Sequence, residues 1–146
     1  MDKLMGLIGL KEVKERAISV ALTVLLDPPP YLETRTSMNF LFVGNPGTGK
    51  TTVATLLAQA MAELKYRKNP KPVLTSADTI LASKDPVSEF LQNVKDAENG
   101  TLFIDEAYLF KPAPRGSTSN ASNAVLDYLL KVRSYLYCFS YLIYSN

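Results

Sequence analysis

The sequence predicts an α/β fold in three layers, a parallel β-sheet with helices on both faces. Three observations carry this. Short apolar runs at residues 39–43, 73–75 and 101–106 alternate with longer segments whose apolar residues recur at helical spacing. A glycine-rich stretch joins the first run directly to one of those helical segments. The last run ends in two adjacent acids. Strands that alternate with helices need long crossovers, which set the strands parallel and cover both faces of the sheet. Ligands of such sheets sit at the carboxyl ends of the strands, and the glycine stretch and the acid pair both fall there.

The elements follow in order. Val13, Ala17, Val20 and Val24 form one apolar stripe, so residues 11–26 are expected to be a helix. Asp27-Pro28-Pro29-Pro30 ends it, because proline cannot continue a helix and restricts the residue before it. Residues 31–38 read as a polar connector. Asn39-Phe40-Leu41-Phe42-Val43 reads as a buried strand. Val53, Leu56, Leu57, Ala60 and Leu64 then mark a helix opening at Gly49-Lys50. Residues 65–71 read as its basic end, cations at a helix C-terminus in solvent. Val73-Leu74-Thr75 is a second strand. Val87, Phe90, Leu91 and Val94 mark a helix opened by Pro86 at a first-turn position and ended by Asn99-Gly100. Thr101-Leu102-Phe103-Ile104-Asp105-Glu106 is a buried strand, residues 111–120 a loop by composition, and Ala121, Ala124, Val125, Tyr128, Leu129 and Val132 a final helix.

Residues 44–51 complete the pattern G-x-x-x-x-G-K-[ST]: Gly44, Asn45, Pro46, Gly47, Thr48, Gly49, Lys50, Thr51. Glycines let the main chain curl until successive N–H groups point at phosphate oxygens. The helix N-terminus adds partial positive charge at the same place. Lys50 is suited to the β- and γ-phosphates and the Thr51 hydroxyl to Mg²⁺, with Thr52 beside them. The implied ligand is a nucleoside triphosphate with Mg²⁺. Asp105 at a strand end can hold Mg²⁺ through its water shell, and Glu106 can orient and deprotonate an attacking water. That glutamate argues against a small-molecule kinase, which has to exclude water.

Bulk properties narrow the classes. The 146 residues suit one domain, and 47% hydrophobic with 21% charged residues is globular composition. A net charge of +2 is too small to argue for nucleic acid or an anionic membrane. The lone Cys138 forms no internal disulfide and fits a reducing, intracellular compartment, cytoplasmic or nuclear. With no histidine, a general base has to be a carboxylate, lysine or tyrosine. The N-terminus does not read as a signal peptide, and no run reaches the length of a membrane span.

LIGLKEVKERA (residues 7–17), NFLFVGNPGTGKTTVATLLAQAM (39–61), TLFIDEAYLF (101–110) and NAVLDYLLKV (123–132) together resemble the AAA+ ATPases related to stage V sporulation protein K and the red-type rubisco activase. The resemblance covers roughly residues 4–133 and is looser over 62–100. It implies ATP and Mg²⁺ as ligands, ATP hydrolysis with Lys50 and Glu106 as catalytic residues, and Thr51 and Asp105 at the metal. It also implies a protein substrate to be remodelled and, by family analogy, a hexamer. Leu7, Ile8 and Gly9 would line the base pocket; read from the residues alone, they are an apolar strip equally consistent with core. Substrate-specific rubisco activation is not implied, since the likeness lies in the ATPase core.

Three departures qualify it. Where threading members carry an aromatic-glycine pore loop, the chain reads Ala82-Ser83-Lys84-Asp85-Pro86, which argues against polypeptide threading. The family's fifth strand, arginine finger, second sensor and lid would follow Asn146, so an incomplete AAA+ core without lid is expected, and hydrolysis lacks the finger that carries a large share of its rate. Residues 134–146 hold four of the eight tyrosines and no charge. They suit either a central fourth strand or a read-through tail after about Arg133 in a single core domain spanning 1–146. The alternatives to an active ATPase are a nucleotide-binding module and a shortened product without independent function. A nucleic-acid motor ranks lower, resting only on the basic run 65–71.

Overall fold

The computed structural model describes residues 2–26, 40–45, 47–65, 67–110, 120–135 and 139–141. Its strands are β1 (Phe40–Leu41), β2 (Val73–Ser76), β3 (Leu102–Asp105) and β4 (Phe139–Tyr141). All pair in parallel, in the order β1-β4-β3-β2. The helices are α1 (Asp2–Met5), α2 (Lys11–Leu26), α3 (Lys50–Glu63), α4 (Ala77–Leu81), α5 (Pro86–Asp96) and α6 (Asn120–Tyr135), with a 3₁₀ turn over Ala107–Phe110.

Alternation along β3 divides the core. Successive strand residues point to opposite faces. Leu102 and Ile104 pack with Ala77 and Ile80 of α4, Phe90 and Val94 of α5, and Val125 of α6. Phe103 packs on the other face against Ala54 of α3. Helices α1, α2 and α3 share a cluster built on Leu4, Ala17, Val20, Val24, Val53 and Leu57, with Phe40 and Phe42 against it. Both faces are therefore covered and β3 is apolar throughout its buried length, as a strand enclosed on two sides must be.

Local chemistry explains the helix ends. On α2 the predicted stripe is the inward one: Ala17, Val20 and Val24 are buried and Val13 is half-buried. At the start of α5, Pro86 occupies the first turn and the Asp85 carboxylate accepts from Ser88 N (3.1 Å) and from Ser88 Oγ (2.7 Å). Those bonds, with the Ser88 hydroxyl first, hold the Asp85 carboxyl below its usual range. Ser76 caps α4 by accepting from Thr79 N at 3.1 Å.

Several expectations need correction. The first strand is shorter than residues 39–43 and is not buried: Leu41 is 57% and Val43 61% exposed. It stands at one end of the strand order, so only one flank is paired by described residues. The basic stretch is not a helix end. Helix α3 stops at Glu63, Lys65 turns left-handed (φ 59°), and Arg67 to Lys71 run on as an irregular segment. That segment is tied to the next connection by Lys68 N and Asn69 N donating to Asn99 O at 3.0 and 3.1 Å. Strand β3 ends at Asp105, and Glu106 lies beyond it. Asn120 opens α6 instead of closing the loop. Leu91 lies on the exposed side of α5, and α4 was not anticipated. Pro46, the connector at 31–38 and loop residues 111–119 lie outside the described residues.

Candidate functional site

The chain leaves β1 at Leu41, passes Phe42 and Val43, and enters the glycine loop at Gly44. Leu41 and Ile104 both register with Tyr141 of β4, so they stand in one row across the sheet. Asp105 is the next residue after that row. The loop and the acid pair thus rise from the same carboxyl edge, separated by one intervening strand.

The loop is shaped by its glycines and held by its own side chains. Gly47 and Gly49 are left-handed (φ 77° and 83°), a conformation that penalises any residue with a Cβ. Thr48 Oγ1 donates to Asn45 O at 2.8 Å, and Thr48 N donates to the same carbonyl at 3.4 Å. Lys50 Nζ donates to Gly44 O at 2.9 Å and Asn45 O at 2.8 Å. Its ammonium therefore sits inside the turn it is expected to serve. A cation held against loop carbonyls stays near the loop, where an anion can join it.

Helix α3 begins at Lys50 with Gly49 as its N-cap, and Gly49 supplies no capping side-chain bond. The helix N-terminus carries partial positive charge, which favours an anionic ligand there. Thr51 and Thr52 are exposed on that turn, while Val53, Ala54, Leu57 and Ala58 below them are buried. An exposed polar rim thus stands on a fixed apolar base. These features fit a triphosphate. Among the described residues no group of three or more His, Cys, Asp or Glu could hold a metal ion. Thr51 and Asp105 are the candidate ligands, and the chemistry fits Mg²⁺, which keeps several waters and takes few protein ligands beside phosphate oxygens.

The two acids differ. Asp105 is half-buried, and its Oδ1 accepts from Glu106 N at 2.9 Å. Glu106 is exposed and left-handed (φ 53°), with its carbonyl accepting from Leu109 N at 2.9 Å. Ser122 Oγ of α6 in turn donates to Leu109 O at 3.3 Å, so α6 braces the turn that carries Glu106.

Gly44, Asn45, Gly47, Thr48, Gly49, Lys50, Thr51 and Thr52 lie in the loop and the start of α3, with Asp105 and Glu106 at the same sheet edge. The predicted base-pocket residues are placed differently. Leu7 packs on the α1–α3 cluster, but Ile8 is wholly exposed and Gly9 is exposed and left-handed (φ 73°). Ile8 is thus no core residue. A separate apolar hollow of about 190 Å³ lies between α2 and β1, lined by residues including Val13, Ala17, Phe40 and Leu41, and does not include Ile8 or Gly9. Ala82 to Asp85 form a tight connector between α4 and α5. Lys14, whose ammonium donates to Leu7 O, was not singled out from sequence, because a lysine in the first turns of a helix carries no distinguishing signal.

A parallel sheet covered on both faces, with a glycine loop feeding a helix N-terminus at its carboxyl edge, defines a P-loop NTPase fold. The chain belongs to the ATPase family associated with various cellular activities (AAA), whose signature matches residues 40–135. It is similar to the chromosomal protein CbxX of Cupriavidus necator, 37% identical over 113 residues, covering 73% of this chain and 36% of that protein. Protein CfxQ of Xanthobacter flavus is also 37% identical, over 114 residues, with 73% and 36% covered. The ESX-1 secretion system protein EccA1 of Mycobacterium tuberculosis is 32% identical over 133 residues, covering 89% of this chain and 23% of its own length. The chain thus spans between about a quarter and about a third of these relatives.

Proposed function

We propose that this chain binds MgATP at residues 44–52 and hydrolyses it, as the nucleotide-handling core of a protein-remodelling ATPase. The single observation that carries the reading is the arrival of two motifs at one sheet edge. The loop Gly44–Thr51 leaves β1, Asp105 closes β3, and parallel pairing through β4 sets both at the carboxyl end. In this reading Lys50 holds the β- and γ-phosphates, Thr51 and Asp105 hold the Mg²⁺, and Glu106 accepts the proton of the attacking water. Mg²⁺ supplies charge neutralisation at the phosphates when bound. The finer kinship, to stage V sporulation protein K and the red-type rubisco activase, a protein substrate, an intracellular site of action and assembly into a homo-oligomer belong to the same proposal.

A second reading is nucleotide binding with negligible turnover. Single-turnover hydrolysis with enzyme in excess over ATP separates the two, with Glu106→Gln as control. Turnover well above the control supports the ATPase; a rate equal to it leaves binding alone.

A further inference from the structure

We propose that Ser122 is a positioning residue for water activation: from α6 it holds the turn Glu106–Leu109 and so sets where the Glu106 carboxylate stands. The role rests on the hydrolysis reading above and adds to it a residue from a separate helix.

Four observations converge on this turn. First, Ser122 is 4% exposed, and among the described residues the buried polar ones are Thr101 and Ser122. A hydroxyl taken out of water costs free energy unless it is bonded. Near a helix start, a serine oxygen commonly serves the backbone of its own helix. Ser122 lies in the first turn of α6, yet its Oγ donates across to Leu109 O, at 3.3 Å. Second, Leu109 leads directly to Glu106: its N–H donates to Glu106 O at 2.9 Å. One residue thus joins α6 to the candidate base. Third, Glu106 is left-handed at φ 53°. That conformation is costly for a residue with a Cβ, persists only where the surroundings hold it, and gathers at functional positions. Here the backbone of Glu106 is tied at both ends, its N–H to Asp105 Oδ1 at 2.9 Å and its carbonyl to Leu109 N. The residue is exposed, so its backbone does more than packing to aim the carboxylate. Fourth, Ala107 and Phe110 share a buried cluster with Val125 of α6. Apolar burial is non-directional, so it docks α6 on the turn without fixing the alignment. A hydrogen bond is directional, and the Ser122 hydroxyl supplies that alignment.

In the proposed step the water oxygen bonds to the γ-phosphorus, a water proton passes to Glu106, and the bond from phosphorus to the bridging oxygen of ADP breaks. Misplacing a positioned group by about 1 Å can slow such a step by up to about a hundredfold. Ser122 stands apart from residues 44–52 and from Thr51 and Asp105 at the metal. Its removal therefore slows the chemical step and leaves MgATP affinity alone.

The test measures two quantities on the full chain: MgATP affinity by isothermal titration, and the single-turnover rate with enzyme in excess. Ser122→Ala removes the donor with alanine's high helix propensity, so α6 is retained. Losing one neutral hydrogen bond predicts a rate about tenfold slower, with affinity unchanged within about twofold. Ser122→Thr keeps a hydroxyl donor and keeps the rate. Ser122→Ala added to Glu106→Gln slows turnover no further, because the group it positions is already replaced. A general loosening of the structure would slow both backgrounds alike. An unchanged rate in Ser122→Ala overturns the inference, as do an equal loss in folded Ser122→Thr, a further loss in the Glu106→Gln background, or a fall in affinity that matches the fall in rate. An unmodified chain that binds MgATP but turns over no faster than Glu106→Gln sinks the hydrolysis reading and this role with it. A chain that binds no ATP sinks the MgATP reading itself. Both differ from an active chain indifferent to Ser122→Ala, which removes the role of Ser122 alone.

Discussion

Phe103 is the joint between the sheet and the helix that starts at the phosphate loop. It is 2% exposed, in the middle of β3, and packs on Ala54 of α3 with Phe42 beside it. Replacing it with alanine removes a buried ring. Transfer of that ring alone accounts for about 1.5–3 kcal/mol, and the unfilled cavity raises the loss for Phe→Ala to about 3–5 kcal/mol. The site has little means of collapsing. β2 and β4 fix the backbone on either side through Leu74 and Ser140, and the facing residue, Ala54, is too small to move into the space. The loss should fall in the upper part of that range, a large fraction of the roughly 5–15 kcal/mol that holds a domain together. Phe103→Leu keeps most of the volume and should cost less than about 1.5 kcal/mol. Urea unfolding followed by circular dichroism measures both, with the slope on denaturant unchanged. Since α3 begins at the loop, Phe103→Ala should also lower the protection that MgATP gives against unfolding. A Phe103→Ala loss below about 1 kcal/mol at unchanged slope would refute the packing described, given the usual range for buried rings.

Other outcomes follow from particular contacts. Asp85 is held below its usual pKa by Ser88, so its contribution is fully present above the ordinary aspartate value of about 3.9 and is lost as pH falls through the lower folded value. Unfolding titrations should show the stability difference between the protein and Asp85→Asn shrinking below about pH 4; a difference independent of pH contradicts this. Ser76→Ala removes the cap of α4 and should cost about 1 kcal/mol in the same urea assay. Leu41→Lys and Val43→Lys place charge on an exposed edge and should reduce aggregation in light scattering with little change in stability. Loss of folding in either variant would mean that these side chains are covered.

Periodicity and breakers made much of the fold legible before any coordinates. Val13, Ala17, Val20 and Val24 marked α2 at its observed bounds, and Pro86 marked the start of α5. Gly49-Lys50 marked the start of α3, and with it the loop carrying the site residues. What escaped depended on surroundings instead of pattern. Leu41 and Val43 are apolar whether covered or not, so residue type gives no sign of their exposure, while Phe40 and Phe42 pack inward. Helix α4 has five residues, too few to show a period, and its one signal was Ser76 ahead of Ala77-Asp78. Leu10 and Glu106 are left-handed where an element begins, and residue type gives no hint of that. The exposed Ile8 was unreadable for the same reason, since an apolar residue in a short turn suits core and ligand wall alike.

The central claim is that the Gly44–Thr51 loop holds MgATP, and isothermal titration of the chain with ATP tests it most directly. Saturable one-to-one binding that requires Mg²⁺ and is weakened at least about tenfold in Lys50→Ala is the predicted result, because Lys50 is the loop's own charged donor. No binding by the unmodified chain, or equal binding by Lys50→Ala, would contradict it.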